Sequence, residues 1–188
     1  MELDDDEAAF QRRLEAKFVP DQIRATLGFA GLYQIVHEML KQSVLIEVRE
    51  CFRSGFDQSG PRYDEEKFQR RVLALAPESR FKASLLWLVE AEAISLAQAD
   101  RLDDIYAHRH ALSHELIRFV VDPDFDLDLD LFIDAVTILK ALDRFWARIA
   151  RDAGIFDRAD DGEVDDAVSI SMMVLQRCIN AYAEGLDK

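Results

Sequence analysis

A chain of 188 residues with 49% apolar side chains can bury a core of its own and needs no disulfide or metal staple. Its 37 acidic against 23 basic residues give a net charge of −14, which excludes a general polyanion binder but leaves room for a small basic cleft. No apolar run approaches the roughly 18 residues of a membrane span, and the acidic start MELDDDEAAF is no signal peptide, so the expectation is a cytoplasmic protein with no membrane partner.

Only seven glycines and four prolines punctuate the chain, which predicts long helices with few turns. Residues 4–18 read as a short amphipathic helix with Phe10, Leu14 and Phe18 four apart. Pro20 and Asp21 then open a second helix that reaches about residue 53. Its apolar set, from Ile23 and Leu27 through Tyr33, Val36, Leu40 and Val44 to Phe52, steps by three and four, the mark of a seam against partner helices. Gly28 and Gly31 within it read either as a close approach or as a kink. His37, beside the seam, reads as a partly buried structural histidine. Residues 54–63, with Gly55, Ser59, Gly60 and Pro61, read as a loop.

Helices are expected over 64–76, closed by Pro77, and over 79–93, with Phe81, Leu85, Leu88 and Val89 inward and Trp87 near an edge. Ser95 followed by Gln98 is a capping-box signature and starts a central helix running to about residue 120. The aspartates at 122, 124, 126, 128 and 130 alternate, but no register supplies the Gly and Glu of a calcium loop. They read as an acidic connection ending in the N-cap of a helix over 131–150, which Gly154 closes. The acidic stretch 157–166 fails as a calcium loop too, because Ala159 and Val168 stand where oxygen ligands are needed. A last helix, 164–183, is apolar around much of its girth and calls for cover from the body or a second subunit. Cys51 and Cys178 lie far apart in helical patterns and read as buried free thiols. No strand pattern appears apart from the aspartate alternation. The expected fold class is therefore all-α, an antiparallel helical bundle in a single domain over 1–188, with the C-terminal helix at 160–184 appended.

The central helix carries the chemistry. Over 101–119 its apolar stripe is Leu102, Ile105, Leu112, Leu116 and Phe119, and Arg109 fills a gap in it where Leu or Ile would fit. A cation there is costly unless something pairs with it or solvates it, and such a breach of a local rule points to function. Three of the four histidines, His108, His110 and His114, fall within seven residues. His110 and His114 are one turn apart, His110 lies in the arc between Arg109 and His114, and Ser113 is one turn from Arg109. One chemistry is an Arg clamp on a phosphate with a histidine moving protons near neutral pH. Another is a metal held by His110, His114 and Asp103, which lacks the carboxylates that bundle metal sites draw from other helices. A salt bridge inside the bundle, to Glu38, Glu90 or Glu92, is the structural reading of Arg109.

The run Arg109-His110-Ala111-Leu112-Ser113-His114 in such a helix resembles the motif of the HEPN family, an Arg, a polar residue, a few others and a His. The resemblance covers about residues 20–150 and implies a HEPN-like bundle core with the last helix outside it. It implies a metal-independent endoribonuclease of the toxin or phage-defence class, acting as a homodimer in which two motifs form one cleft, with RNA as substrate and no cofactor. Arg109, His114 and His110 would be catalytic, with Ser113 and His108 as substrate contacts. The family most often has Asn after the Arg, where this chain has His110. Members paired with a nucleotidyltransferase antitoxin carry Tyr two residues after the His, where this chain has Leu116. The alternative expectation is a non-catalytic binding or regulatory module, dimeric, whose acidic segments suit a protein partner such as an antitoxin or regulator.

Overall fold

A computed structural model describes residues 2–154 and 169–186, with side chains from residue 6 on. Helix α1, Glu2–Lys17, leads through a two-residue turn into α2, Pro20–Gln42, with Pro20 in the first helical turn where its missing N–H costs nothing. This helix does not stop at Gln42. It passes through a π-helical turn at Ser43–Glu47 into α3, Val48–Glu50, so the long apolar seam of the sequence is one rod with a single extra-wide turn. Ser43 in that turn is buried and accepts from Trp146 Nε1 at 2.7 Å.

The residues expected to form a loop after it make a β-hairpin instead. Strand β1, Arg53–Asp57, pairs antiparallel with β2, Gly60–Tyr63, in the register Asp57 with Gly60, Phe56 with Pro61, Gly55 with Arg62 and Arg53 with Tyr63. The Asp57 carboxylate accepts from both the N–H and the hydroxyl of Ser59 and so shapes the two-residue turn. Gly60, at φ +123°, closes it in a conformation that side chains resist. Four- and five-residue strands broken by Gly and Pro show no alternation of apolar residues, which is why the sequence pattern conceals them.

Helix α4, Glu65–Arg71, is capped by Asp64, and α5, Arg80–Glu90, by Ser79. Helix α6, Leu96–His114, starts on the expected capping box, with Gln98 N–H donating to Ser95 Oγ and Ser95 N–H to Gln98 Oε1. It does not run to residue 120. The backbone leaves helical geometry at Glu115 and resumes as α7, Leu116–Val121. The aspartate run serves structure: Asp124 pairs with Arg13 and Asp126 with Lys17, both on the distant α1, and Asp128 caps α8, Leu129–Asp152. The final helix, α9, Ile170–Leu186, packs on α2. The molecule is therefore predominantly helical with one small hairpin, rather than free of strands.

Helix α2 lies against α6, α8 and α9, and the core is built where they meet, from Tyr33, Val36 and Leu40 with Ile105, Leu112, Ile138, Leu142 and Leu175. Gly28 is explained by α9. A Cβ there would come within 2.9 Å of the Tyr182 ring, whose hydroxyl donates to the Ala25 carbonyl at 3.1 Å, so this glycine serves a close approach and not a kink. One flank of α9 stays open to solvent at Ile170, Met173 and Val174 while Met172 and Leu175 are buried. The cysteines are free, but they are not both buried: Cys178 is half-buried and Cys51 reaches the surface. Desolvation of the Cys51 thiol, with the nearby Glu47 and Glu50 carboxylates, pushes it up to about 11, which makes it a poor nucleophile at neutral pH. Among the described residues no helix is long and apolar enough to cross a membrane. The second acidic stretch, 157–166, and the expected start of the last helix at 164 lie outside the described residues.

Candidate functional site

The seam of α6 against α2 buries Leu102, Ile105 and Leu112, and Phe119 of α7 continues it. Arg109 takes its expected place in that stripe, and α2 supplies what makes the charge tolerable there. Its side chain is 25% exposed. Nε donates to Gln34 Oε1 at 2.9 Å, and Nη2 stands 3.6 Å from Glu38 Oε1. Gln34 in turn donates through Nε2 to Ser113 Oγ at 2.6 Å, and Ser113 Oγ donates to the Arg109 carbonyl at 3.0 Å. The guanidinium is thus fixed by a closed ring of hydrogen bonds that crosses from α6 to α2 and back. A guanidinium has five N–H donors, so most of the fork remains beyond these two contacts.

Glu38 also faces His37, whose Nδ1 lies 3.4 Å from Glu38 Oε1. The alignment is too poor for a hydrogen bond, and Nδ1 is buried without one among the described residues. The His37 ring packs on Tyr106 with centroids 5.1 Å apart. Burial, and next the positive charge of Arg109, hold this imidazole below its ordinary value near 6.5, while Glu38 pulls the other way. His37 is a buried structural residue, as its place beside the seam suggests, and it is electrostatically tied to Arg109.

His110 and His114 both lie exposed on the outer flank of α6, their ring centroids 4.3 Å apart and tilted by 46°. The helix ends at His114, so the second imidazole sits at the helix terminus beside the break at Glu115. His108 goes elsewhere. It turns inward between the Tyr33 and Phe119 rings, at 5.1 and 5.7 Å, and Nε2 accepts from the Asp128 N–H at 3.4 Å. Burial lowers its pKa, with the Asp128 charge opposing. The structure thus gathers Arg109, Ser113, His110 and His114 on one side of α6 and places His108 on the other, among core aromatics. Asp103 joins no metal cluster: among the described residues no group of three His, Cys, Asp or Glu side chains converges.

Gln34 is the member of the site that sequence reasoning missed. The signal was there, since Gln34, Glu38 and Gln42 form a polar i, i+4, i+8 row beside the apolar seam of α2. Along that row runs a shallow groove of about 730 Å³, walled by Gln34, Ile35, Glu38, Met39, Gln42 and Leu45. The arrangement can hold an anion beside Arg109, offer two solvent-facing imidazoles for proton transfer, and seat an apolar or planar group in the groove. No family model, curated protein or solved structure matches this chain.

Proposed function

We propose that the protein is a metal-independent endoribonuclease of HEPN type, working as a homodimer. The observation that carries this reading is the fixed, half-exposed Arg109 with His110 and His114 paired on the solvent side of the same helix. In the reaction the RNA 2′-hydroxyl attacks the adjacent phosphorus, the bond to the 5′-oxygen breaks, and a cyclic phosphate and a 5′-hydroxyl remain. An imidazole changes protonation near neutral pH, so His114 takes the 2′-hydroxyl proton or returns one to the leaving oxygen. Arg109 holds the phosphate and stabilises charge growing on its oxygens. His110, stacked on His114, orients it, and Ser113 keeps the Arg109 backbone and Gln34 in register. A two-fold axis bringing two such flanks together would supply acid and base from different subunits. The net charge of −14 implies weak RNA binding that falls with salt, and slow turnover.

The test is single-stranded RNA incubated with the protein in EDTA beside Arg109→Ala and His114→Ala. Cyclic-phosphate ends that fall by about a hundredfold or more in both variants are expected. Cleavage abolished by EDTA, or unchanged in both variants, sinks the assignment. Sizing at micromolar concentration checks the dimer.

The Gln34 and Glu38 contacts favour a second reading, a non-catalytic module in which Arg109 only ties α6 to α2. That reading predicts no RNA cleavage by the unaltered protein, with Arg109→Ala costing only about 1 kcal/mol of stability, the loss of a hydrogen bond that keeps partial access to water.

A further inference from the structure

The hairpin and the helices at its base carry a feature that the Arg109 site does not use. Guanidinium groups and aromatic rings alternate from the body outward. Arg80 Cζ lies 5.6 Å from the Phe68 centroid, Arg49 Cζ lies 4.6 Å from both Phe68 and Tyr63, and Arg53 Cζ lies 5.1 Å from Phe56. The inner end is rigid: Phe68 is buried, Glu65 holds Arg49, and Glu50 holds both the Tyr63 hydroxyl and Arg53. The outer end is open. Phe56 is 70% exposed, and Arg62, on the opposite face of the hairpin, is exposed with only a 3.8 Å contact to Asp57. A phenylalanine this exposed on a tight two-residue hairpin contributes nothing to the core. With the Arg53 guanidinium against it, it forms a flat cationic and apolar pair at the surface.

Charge identifies what such a pair can bind. Residues 49–82 hold eight Lys and Arg against six Asp and Glu, a net +2, while the rest of the chain carries −16. The cations within and beneath the hairpin are arginines, which bind phosphate as a fork and stack as a plane. The carboxylates of Glu65, Glu50 and Asp57 offset part of this charge, and the stretch as a whole, still positive in an otherwise repelling molecule and carrying planar guanidinium and ring faces, is matched by a ligand that is both polyanionic and flat-faced. We propose that this ladder of guanidinium groups and rings is a docking surface for single-stranded nucleic acid, with Phe56 as the platform on which a base stacks and Arg53 and Arg80 as phosphate contacts. A duplex is excluded from this mode because its bases are already stacked. The ladder and the Arg109 site share α2. Arg80 Nη2 donates to the Leu45 carbonyl, Leu45 ends the groove that begins at Gln34, and the rise from Gln34 to Arg49 is about 22 Å. That a strand held on the ladder leads to Arg109 rests on the ribonuclease reading; that the ladder holds a strand does not.

The experiment is fluorescence anisotropy of the full chain with labelled oligopyrimidine RNA and DNA of about twelve nucleotides, a blunt duplex, and polyglutamate. Both single strands are expected to bind, and a preference for RNA would add a 2′-hydroxyl contact to the same surface. Phe56→Ala should weaken binding about tenfold and Phe56→Trp should restore it. Arg80→Ala should reduce the slope of log affinity against log salt by about one, and Arg62→Ala, on the opposite face of the hairpin, should leave it unchanged. His114→Ala should bind like the unaltered protein whether or not cleavage is lost, so failure of the ribonuclease reading leaves this result standing. Binding unchanged in Phe56→Ala, no binding of either strand, or duplex or polyglutamate bound as tightly as single strands would each overturn the proposal. The last outcome would assign the surface to an acidic protein segment.

Discussion

On the inner flank of α6, His108 is held between the rings of Tyr33 and Phe119 and touches the start of α8. Two residues on, His110 stands in solvent with His114 as its ring neighbour. Between the two settings lies Arg109, half in the seam and half out of it. Three cationic or titratable positions in a row therefore do three different things, and the difference comes from the roughly 100° turn between successive residues rather than from residue type. A cluster of histidines in sequence is thus weak evidence for a cluster in space, while a helical phase that puts two of them one turn apart is strong evidence.

That contrast can be broken by mutation. The largest effect belongs to the inner flank. Leu112→Ala removes a side chain only 1% exposed and should cost about 2–5 kcal/mol in urea-induced unfolding. A cost under about 1 kcal/mol would mean that α6 does not pack on α2 as described. Arg109→Ala, on the boundary, should cost about 1 kcal/mol, one hydrogen bond from a charged donor that keeps partial access to water. It should also raise the His37 titration followed by proton NMR, since it removes the second-largest cause of that depression. No movement of His37 would separate the two residues.

A smaller effect concerns pH. His108 and His37 titrate below their ordinary value of 6.5 when folded, so near neutral pH and above they are neutral in both states and shift nothing. Below about 6.5 the unfolded chain binds protons that the folded one refuses, and stability falls until the lowered folded values are reached. His108→Gln should flatten that fall between roughly pH 6.5 and 5 in thermal melts. The smallest effect is expected on the outer flank, where His110→Ala should change stability by no more than about 0.5 kcal/mol. A larger loss would give His110 a structural duty that its exposure argues against.

Much of this architecture was legible because it rests on short-range chemistry. Pro20, the Ser95 and Gln98 box and Gly154 mark element ends through their own side chains or backbone, and an aspartate of the alternating run caps the next helix, though it is Asp128, two residues before the position that a start at 131 implies. The stripe containing Arg109 is equally plain, and Glu38 is one of three glutamates, with Glu90 and Glu92, that the sequence offers as its partner. Other features depend on contacts remote in sequence. Helix α6 ends at Glu115 with no Gly or Pro to announce it, and the resumed helix α7 turns Phe119 and Leu116 onto the core. Gly28 could be assigned only once Tyr182, far along the chain, was seen against it. The inward turn of His108 and the role of Gln34 follow from the way α2 and α6 face each other, which no pattern within either helix specifies. The resemblance of the motif lies in one stretch of α6, and the hairpin has no counterpart in the expectations drawn from it.

The π-helical turn at Ser43–Glu47 has a bearing on how this molecule could change. It accommodates one more residue than an α-helical turn would, so it acts as a phase shifter between Gln34 and Glu38 on one side and Arg49 on the other. Removing one residue there would let an ordinary α-helical turn span the same gap and leave the hairpin near its present bearing, whereas removing one from the regular helix would rotate everything beyond by about 100°. One extra residue in a helix is tolerated where a turn widens to absorb it, and here Trp146 holds Ser43 at that turn. A single deletion within Ser43–Glu47 is therefore expected to spare both the bearing of the hairpin and the ring of contacts that fixes Arg109.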